Sequence, residues 1–132
     1  MSLFVDASAL VAVIASEPER LAFARRMAAQ DRLLWSAMSC WETVSALRTS
    51  YRWSTADARA EVELIVGRLP FELVPIGERE RATALDAYHT YGRGSEHPAK
   101  LNMGDCFAYA CAKTNGAKLL YKGEDFSHTD LA

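Results

Sequence analysis

Residues 3–14 read LFVDASALVAVI, and this stretch sets the pattern from which the fold is predicted. The apolar triplet 3–5 is typical of a short buried strand, Asp6 lies in the turn that follows it, and residues 9–14 predict a short helix. Apolar or alternating runs predict three more strands, at residues 32–36, 71–76 and 118–122. Strands that alternate with helices favour an α/β fold, here a three-layer α/β/α sandwich with a mainly parallel central sheet.

Capping patterns indicate where the first intervening helices begin. Ser16, followed by Pro18 and two glutamates, predicts the start of a helix that runs to about Ala29. Ser39 and Ser54 are each expected to open a further helix, because a serine hydroxyl accepts a hydrogen bond from the free N–H groups of a first turn.

The last two helices are predicted over residues 78–91 and 104–113, and Gly116 suits a left-handed end for the second of them. Between them lies the polar, glycine-rich segment 92–100, the clearest loop of the chain. Because this loop precedes Asp105, it is a candidate for contact with a substrate.

Composition limits the class of protein. The 132 residues, half of them hydrophobic, predict one compact domain over residues 1–132. A net charge of -2 argues against a module that holds nucleic acid by phosphate contacts alone, although metal ions bound by carboxylates can supply positive charge locally. No signal peptide and no membrane span of ~20 apolar residues is recognisable, so a cytoplasmic protein is expected. The cysteines form no CxxC pair and are expected to be buried reduced thiols: Cys40, Cys106 and Cys111.

Four acidic residues are far apart in the sequence but lie at equivalent points of the α/β pattern. Asp6 follows the first strand, Glu42 lies one turn into the helix after the second, Asp105 opens the last helix and Asp125 follows the last strand. Ligands of open parallel sheets bind outside the carboxyl ends of the strands, so these acids are expected to meet at one edge. At roughly 4 Å and an effective dielectric near 20, each like-charged pair costs on the order of 4 kcal/mol. The cluster therefore implies raised pKa values or a bound divalent cation.

Each acid also has a purely structural interpretation. Asp6 could cap a helix, and the segment 39–42 matches the capping box S-x-x-E, which on spacing alone is the preferred interpretation of Glu42. Asp105 could stabilise a helix dipole by ~0.3 to 1 kcal/mol, and the helix end is expected to favour its ionised form. The acids after the last strand could be turn residues. Four independent caps have no reason to fall on one edge, which favours a shared site.

Other polar and aromatic side chains give weaker signals. Ser8 is expected to cap the turn or to orient Asp6, because no nucleophile elbow surrounds it. His97 lies in the 92–100 loop, and no two histidines have metal-ligand spacing. The tryptophans are expected in the core or at an interface: Trp35, Trp41 and Trp53. Four cations could guide phosphates, although surface arginines usually have no such role: Arg48, Arg52, Arg93 and Lys100.

The acidic segments resemble those of the PIN-domain family and, within it, the VapC-type toxins of bacterial type II toxin–antitoxin systems. FVDASAL at residues 4–10 resembles the opening motif of the family, Trp41-Glu42 its second acid and LNMGDC at residues 101–106 its third. LLYKGEDFSHTD at residues 119–130 resembles the closing segment of one VapC subgroup. The resemblance spans essentially the whole chain.

The resemblance implies a PIN-like fold and an endoribonuclease that depends on one or two Mg²⁺ or Mn²⁺ ions. It also implies a homodimer and neutralisation by a small cognate antitoxin that inserts a segment near the site. Carried over by position, the metal-binding and catalytic residues are Asp6, Glu42, Asp105 and Asp125.

The fourth acid is ambiguous within the closing segment. Many relatives carry it in a T-x-D-type turn, whereas Lys122-Gly123 stands at those positions here. Either Glu124 or Asp125 must then serve, and Asp125 is preferred because it directly precedes Phe126.

Two other functions compete with the nuclease hypothesis. One is a catalytically silent PIN-like scaffold whose apolar helices bind a protein partner. The other is a phosphatase-like hydrolase with Asp6 as covalent nucleophile, but that chemistry would favour a second acid where Ser8 stands.

Overall fold

The computed structural model describes residues 1–131, so Ala132, the last residue of the predicted domain, lies outside it. The strands are β1 (Ser2–Val5), β2 (Arg32–Trp35), β3 (Phe71–Leu73) and β4 (Lys118–Leu120). The helices are α1 (Ala7–Ile14), α2 (Arg20–Ala28), α3 (Ala37–Tyr51), α4 (Thr55–Arg68), α5 (Glu78–Tyr91) and α6 (Met103–Thr114). Among these helices, none has both the length and the apolar character needed to cross a bilayer.

The strands form one parallel sheet in the order β3-β2-β1-β4. Leu3 pairs with Leu33 on one side of β1, and Phe4 pairs with Leu119 on the other. The predicted parallel sheet is confirmed. Because the strands run in one direction, the chain leaves β1, β2 and β4 at the same edge, which is where the acidic residues follow.

Alternating side chains of the strands pack against helices on both faces of the sheet. On one face, Phe4 and Leu34 join a buried cluster with residues of α5 and α6. On the other face, Leu3 and Leu33 join a cluster with residues of α1 and α2, and α3 and α4 pack beside α1 through a third cluster. The three-layer α/β/α sandwich is therefore confirmed.

The predicted start of α2 at Ser16 is wrong. Ser16 has a φ of 56° and the N–H of Glu17 bonds to the carbonyl of Ala12 at 2.8 Å, so this turn closes the end of α1. The helix α2 begins at Arg20, after Glu19, and no side chain caps it. A serine that precedes a proline and acids thus ends one helix here instead of opening the next.

The predicted start of α3 at Ser39 is also wrong, and with it the capping-box interpretation of Glu42. Ser36 caps the helix, and Ser39 is the third residue of its first turn. The two serines exchange backbone-to-hydroxyl hydrogen bonds of 3.2 Å each, and both are buried. Glu42 therefore lies outside the cap, which leaves its carboxylate available for another role.

Other local predictions hold. The Ser54 hydroxyl accepts a hydrogen bond from the N–H of Asp57 at 3.0 Å and caps α4. Gly116 has a φ of 62° just after α6, as expected for a left-handed end. Cys106 and Cys111 are buried free thiols, whereas Cys40 is only partly buried.

Candidate active site

The four predicted carboxylates line one hollow of about 350 Å³ at the carboxyl edge of the sheet. We call it the acid hollow, and its polar lining residues are Asp6, Ser8, Glu17, Glu42, Asp105, Lys122 and Asp125. Neither Glu124 nor any residue of the 92–100 loop is among them. Segments that are distant in the sequence thus bring five carboxylates and one ammonium group to one place.

Asp6 lies at the base of the acid hollow and is only 7% exposed. It caps α1, and its Oδ2 atom accepts hydrogen bonds from the backbone N–H of Ser8 at 3.1 Å and from the Ser8 hydroxyl at 2.6 Å. Burial raises the pKa of Asp6 above its ordinary value, although these hydrogen bonds act in the opposite direction. The residue is therefore both a helix cap and a buried acid that would be ionised more readily beside a cation.

Ser8 holds the ends of two strands together. Its hydroxyl donates to Asp6 and accepts a hydrogen bond of 2.9 Å from the backbone N–H of Lys122, which follows β4. The structure thus shows the orienting contact expected for this serine. A hydroxyl engaged in this way fixes the position of the Asp6 carboxylate relative to the β4 end of the hollow.

Asp105 lies in the first turn of α6 and forms a capping box with Asn102. The Asn102 N–H donates to Asp105 Oδ2 at 3.1 Å, and the Asp105 N–H donates to Asn102 Oδ1 at 2.9 Å. Burial, with a smaller contribution from the charges of Asp125 and Asp6, nevertheless raises the pKa of Asp105 to about 6, although the Asn102 N–H and the charge of Arg93 act in the opposite direction. The backbone N–H of Asn102 favours the ionised form of Asp105, as expected at the start of a helix, but burial outweighs this contribution.

Glu42 reaches across from α3 to the start of α6. A Cβ atom at Gly104 would lie 1.9 Å from Glu42 Oε2 and 2.5 Å from Glu42 Cδ, so only glycine leaves room for this carboxylate. Burial raises the pKa of Glu42 to about 7, and the charges of Asp6 and Asp105 contribute to the shift. No side chain or backbone N–H within residues 1–131 donates a hydrogen bond to it. A carboxylate placed beside two others without a donor is one that a cation would stabilise.

The two acids of the closing segment have different surroundings. Asp125 is exposed and lines the acid hollow, and its negative charge raises the pKa of Asp6 and of Asp105. Glu124 instead closes a turn, in which its carbonyl accepts a hydrogen bond from the Ser127 hydroxyl at 2.6 Å. This geometry favours Asp125 as the fourth acid.

Lys122 at the rim of the acid hollow is a feature that the sequence prediction missed. Its Nζ atom lies 2.8 Å from Glu17 Oε1 and 3.5 Å from Glu19 Oε1, and the Tyr51 hydroxyl also donates to Glu17. Lys122 and Glu17 are 105 residues apart, so no local pattern could have predicted the ion pair.

The donor set fits a hard divalent cation in its chemistry, because the candidate ligands are carboxylate oxygens. Within residues 1–131, no three acidic, histidine or cysteine side chains stand close enough to hold a metal ion without moving. Ionised carboxylates repel one another, and Glu42 is free of hydrogen bonds that would prevent its movement. A cation would have to draw the side chains inward from the walls of the hollow.

The 92–100 loop and His97 have structural contacts instead of a place in the acid hollow. His97 Nδ1 accepts a hydrogen bond from the N–H of Ala99 at 3.1 Å, and its ring packs edge-on against Tyr91. The charge of Arg93 in this loop lowers the pKa of Asp105.

Comparison with known proteins places this chain in a family. The model of the PIN domain matches residues 3–131. Ribonuclease VapC30 of Mycobacterium tuberculosis (strain ATCC 25618 / H37Rv) is 42% identical over 130 residues, which cover 98% of this chain and 96% of that protein.

Two solved structures share the fold at low sequence identity. The crystal structure of Mycobacterium tuberculosis VapC20, described as a Sarcin-Ricin loop cleaving toxin, has a TM-score of 0.73 and 18% identity, and covers 95% of this chain and 92% of its own. A toxin-antitoxin complex from Klebsiella pneumoniae has a TM-score of 0.71 and 14% identity, and covers 99% of this chain and 94% of its own. From the family match and the identity to its relatives, the chain belongs to the PIN-domain family and groups within it with the VapC proteins.

Proposed function

We propose that the protein is a divalent-metal-dependent endoribonuclease and the toxin of a type II toxin–antitoxin module. The observation that carries the proposal is that four carboxylates from separate segments line one hollow of a PIN-domain chain, and relatives of that chain are named ribonucleases. The lining residues of the acid hollow in residues 1–131 include neither histidine nor cysteine, and the Ser8 hydroxyl is engaged by Asp6 and Lys122. Hydrolysis by an activated water therefore fits this site better than attack by a serine, cysteine or histidine side chain.

Asp6 and Asp105 are the residues we expect to hold Mg²⁺ or Mn²⁺, and Glu42 and Asp125 would complete the site. When bound by these residues, such an ion would supply a lower pKa for a water molecule and positive charge near the leaving oxygen. Ser8 keeps the Asp6 carboxylate oriented, and the capping box with Asn102 does the same for Asp105. Whichever carboxylate is not needed as a ligand is available to orient the attacking water.

Metal binding should depend on pH in a defined window. The pKa values of Glu42 and Asp105 in the folded protein are about 7 and about 6, above ordinary values of 4.5 and 3.8. A raised carboxyl pKa means that the folded state holds protons that the unfolded state releases, so these groups support folding at low pH and lose that effect as pH rises through 6 to 7. The melting temperature of the metal-free protein should therefore fall as pH rises over this range. The increase in melting temperature caused by Mg²⁺ should grow over the same range.

Thermal unfolding of EDTA-treated protein between pH 5 and 8, with and without added Mg²⁺, measures both trends. Glu42→Gln should remove the part of the pH dependence near 7, since it removes the titrating group. An increase in melting temperature that is independent of pH would contradict titration of the ligands.

A homodimer is supported by an apolar hollow of about 320 Å³ between α5 and α6. Leu85, Tyr88 and Met103 line it and are 53–65% exposed, and monomeric proteins rarely leave such side chains together on the surface. We expect wild-type protein to sediment as two chains and Leu85→Glu as one. Leu64→Glu, on an exposed site of α4, is the control and should remain dimeric. A single-chain mass for wild type would contradict the dimer.

An antitoxin partner is supported by the shared fold with a chain from a toxin-antitoxin complex. The five carboxylates of the acid hollow are complementary in charge to a basic segment inserted near the site. Acting on RNA under the control of a small antitoxin, the protein is expected to work in the cytoplasm. A silent scaffold would use the same apolar surfaces but gives no reason for the carboxylates to meet.

Brief expression of the protein in bacterial cells, followed by sequencing of RNA 5′ ends, tests the proposed activity. We expect new ends at a limited set of sites, and we expect them to be absent when Asp105 is replaced by asparagine. Identical RNA ends with wild-type and variant protein would contradict the proposal.

A further inference from the structure

Two further hollows continue from the acid hollow along α3. The first, of about 810 Å³, shares Glu42 and Ala46 with the acid hollow. The second, of about 350 Å³, shares Trp41, Ser45 and Thr49 with the first. A continuous surface therefore leads from the carboxylates to the far end of α3.

Trp41, Arg48 and Arg52 line the distal hollow. Trp41 and Arg48 are seven residues apart, close to two helical turns, so they share one face of α3, and Arg52 directly follows the last turn of this helix. Trp41 directly precedes Glu42 in the chain, which places the indole next to the acid hollow. We call these three side chains the Trp–Arg face.

The indole of Trp41 is not part of the core. The residue is 73% exposed, so of the two locations expected from the sequence, the core and an interface, the core is excluded for Trp41. An exposed indole on a rigid helix offers a flat surface on which an unpaired base can stack.

The two arginines are exposed and take part in no ion pair or side-chain hydrogen bond with another residue in the range 1–131. By contrast, Arg32, Arg59 and Arg81 each pair with a glutamate. Two guanidinium groups without a carboxylate partner are suited to phosphate.

Arg52 also occupies a backbone position that normally favours glycine. It ends α3 with a φ of 59°, in the left-handed region, while the next N–H bonds to the carbonyl of Leu47. A glycine would make this turn without steric cost. The turn therefore does not explain the presence of an arginine.

We propose that the Trp–Arg face is a subsite for single-stranded RNA beside the cleavage centre, in which a base stacks on Trp41 and phosphates pair with Arg48 and Arg52. The inference rests on the proposed ribonuclease function. The acid hollow, with five carboxylates and one ammonium group, repels a polyanion when no cation is bound. The guanidinium groups of Arg48 and Arg52, at the other end of the same surface, would hold the RNA strand in place against that repulsion.

The test compares Trp41→Ala, Trp41→Phe, Arg48→Gln and Arg52→Gly with wild type. The RNA is a labelled single-stranded oligonucleotide that carries a cleavage site mapped in cells, and its duplex serves as the second probe. Arg25→Gln is the control for loss of a cation, because Arg25 is exposed on α2 and in no ion pair among residues 1–131. Affinity is measured in EDTA, and kcat and KM are measured in Mg²⁺.

Trp41→Ala should weaken binding of the single strand between about fivefold and a hundredfold, Trp41→Phe should weaken it less, and duplex binding should change little. Arg48→Gln and Arg52→Gly should each reduce the slope of log affinity against log salt by about 0.7, the contribution of one phosphate contact on a single strand. KM should rise with kcat nearly unchanged. Arg52→Gly should keep its melting temperature, so a folding defect cannot account for the loss.

Variants that bind and cleave like Arg25→Gln while wild type is active would overturn the subsite and leave the ribonuclease proposal intact. Loss of dimer mass in Trp41→Ala with RNA affinity unchanged would assign the face to a protein contact and also overturn it. Absence of cleavage by wild type in Mg²⁺ would overturn the proposed function and the subsite together.

Discussion

Asp105→Asn is expected to abolish metal-dependent RNA cleavage while the protein remains folded. The amide oxygen of asparagine can still accept the hydrogen bond from Asn102, so the cap of α6 is kept. The substitution removes a buried charge that lies close to Asp125 and Asp6, so the metal-free protein should hold or gain stability. Even residues that only support a metal ligand typically contribute 10- to 100-fold to affinity or activity, so we expect a loss of at least about a hundredfold here.

The measurements are RNA cleavage and the increase in melting temperature on adding Mg²⁺. Asp57→Asn is the matched control, because Asp57 is also an acid in the first turn of a helix but is exposed on α4. If Asp105 were only a cap, its loss would lower stability by up to ~1 kcal/mol and the response to Mg²⁺ would persist. Retained metal-dependent cleavage in Asp105→Asn would refute the assignment of this residue. Absence of cleavage by the wild-type protein as well would instead favour the scaffold interpretation.

Gly104→Ala is expected to inactivate the protein without unfolding it. The new Cβ would lie 1.9 Å from Glu42 Oε2, and the end of the glutamate side chain is the part that can move. Displacing this carboxylate moves it away from Asp6 and Asp105, so the site loses one of its acids although Glu42 is still present. We expect cleavage to fall by about 10- to 100-fold, the range for residues that position metal ligands.

Gly67→Ala is the matched control for this prediction, since Gly67 lies in α4 with nothing within 4 Å of an added Cβ. That substitution should keep activity and raise stability by roughly 0.5 to 1 kcal/mol, because alanine is the better helix former. Melting temperature and cleavage rate should therefore change independently in the two variants. Wild-type activity in Gly104→Ala would show that the position of Glu42 does not matter for the reaction.

The fold was predictable because its signals are local and repeated. Alternating side chains such as Leu3 and Phe4 are directed to opposite faces of the sheet, and the order of strands and helices is sufficient to indicate a parallel arrangement. Helix starts were less predictable. Ser36 and Ser39 both have a capping residue's chemistry, and the choice between them depends on where β2 ends in the folded sheet.

The candidate site was predictable in its members and not in its contacts. The positions of Asp6, Asp105 and Asp125 relative to strands and helices were enough to suggest that they meet, and a resemblance of whole segments supported the same set. The contact between Glu42 and Gly104 joins residues 62 positions apart and has no local signal. The dominance of burial over the helix cap at Asp105 depends on packing, which the sequence pattern does not specify.

The central claim is that the acid hollow binds a divalent cation and uses it to cleave RNA. Its most direct test is a titration of EDTA-treated wild-type protein with Mg²⁺, with bacterial RNA as substrate and newly formed RNA ends counted at each concentration. We predict no new ends in EDTA and a saturable appearance of ends as Mg²⁺ is restored. Cleavage at the same rate in EDTA, or no cleavage at any Mg²⁺ or Mn²⁺ concentration, would contradict the claim.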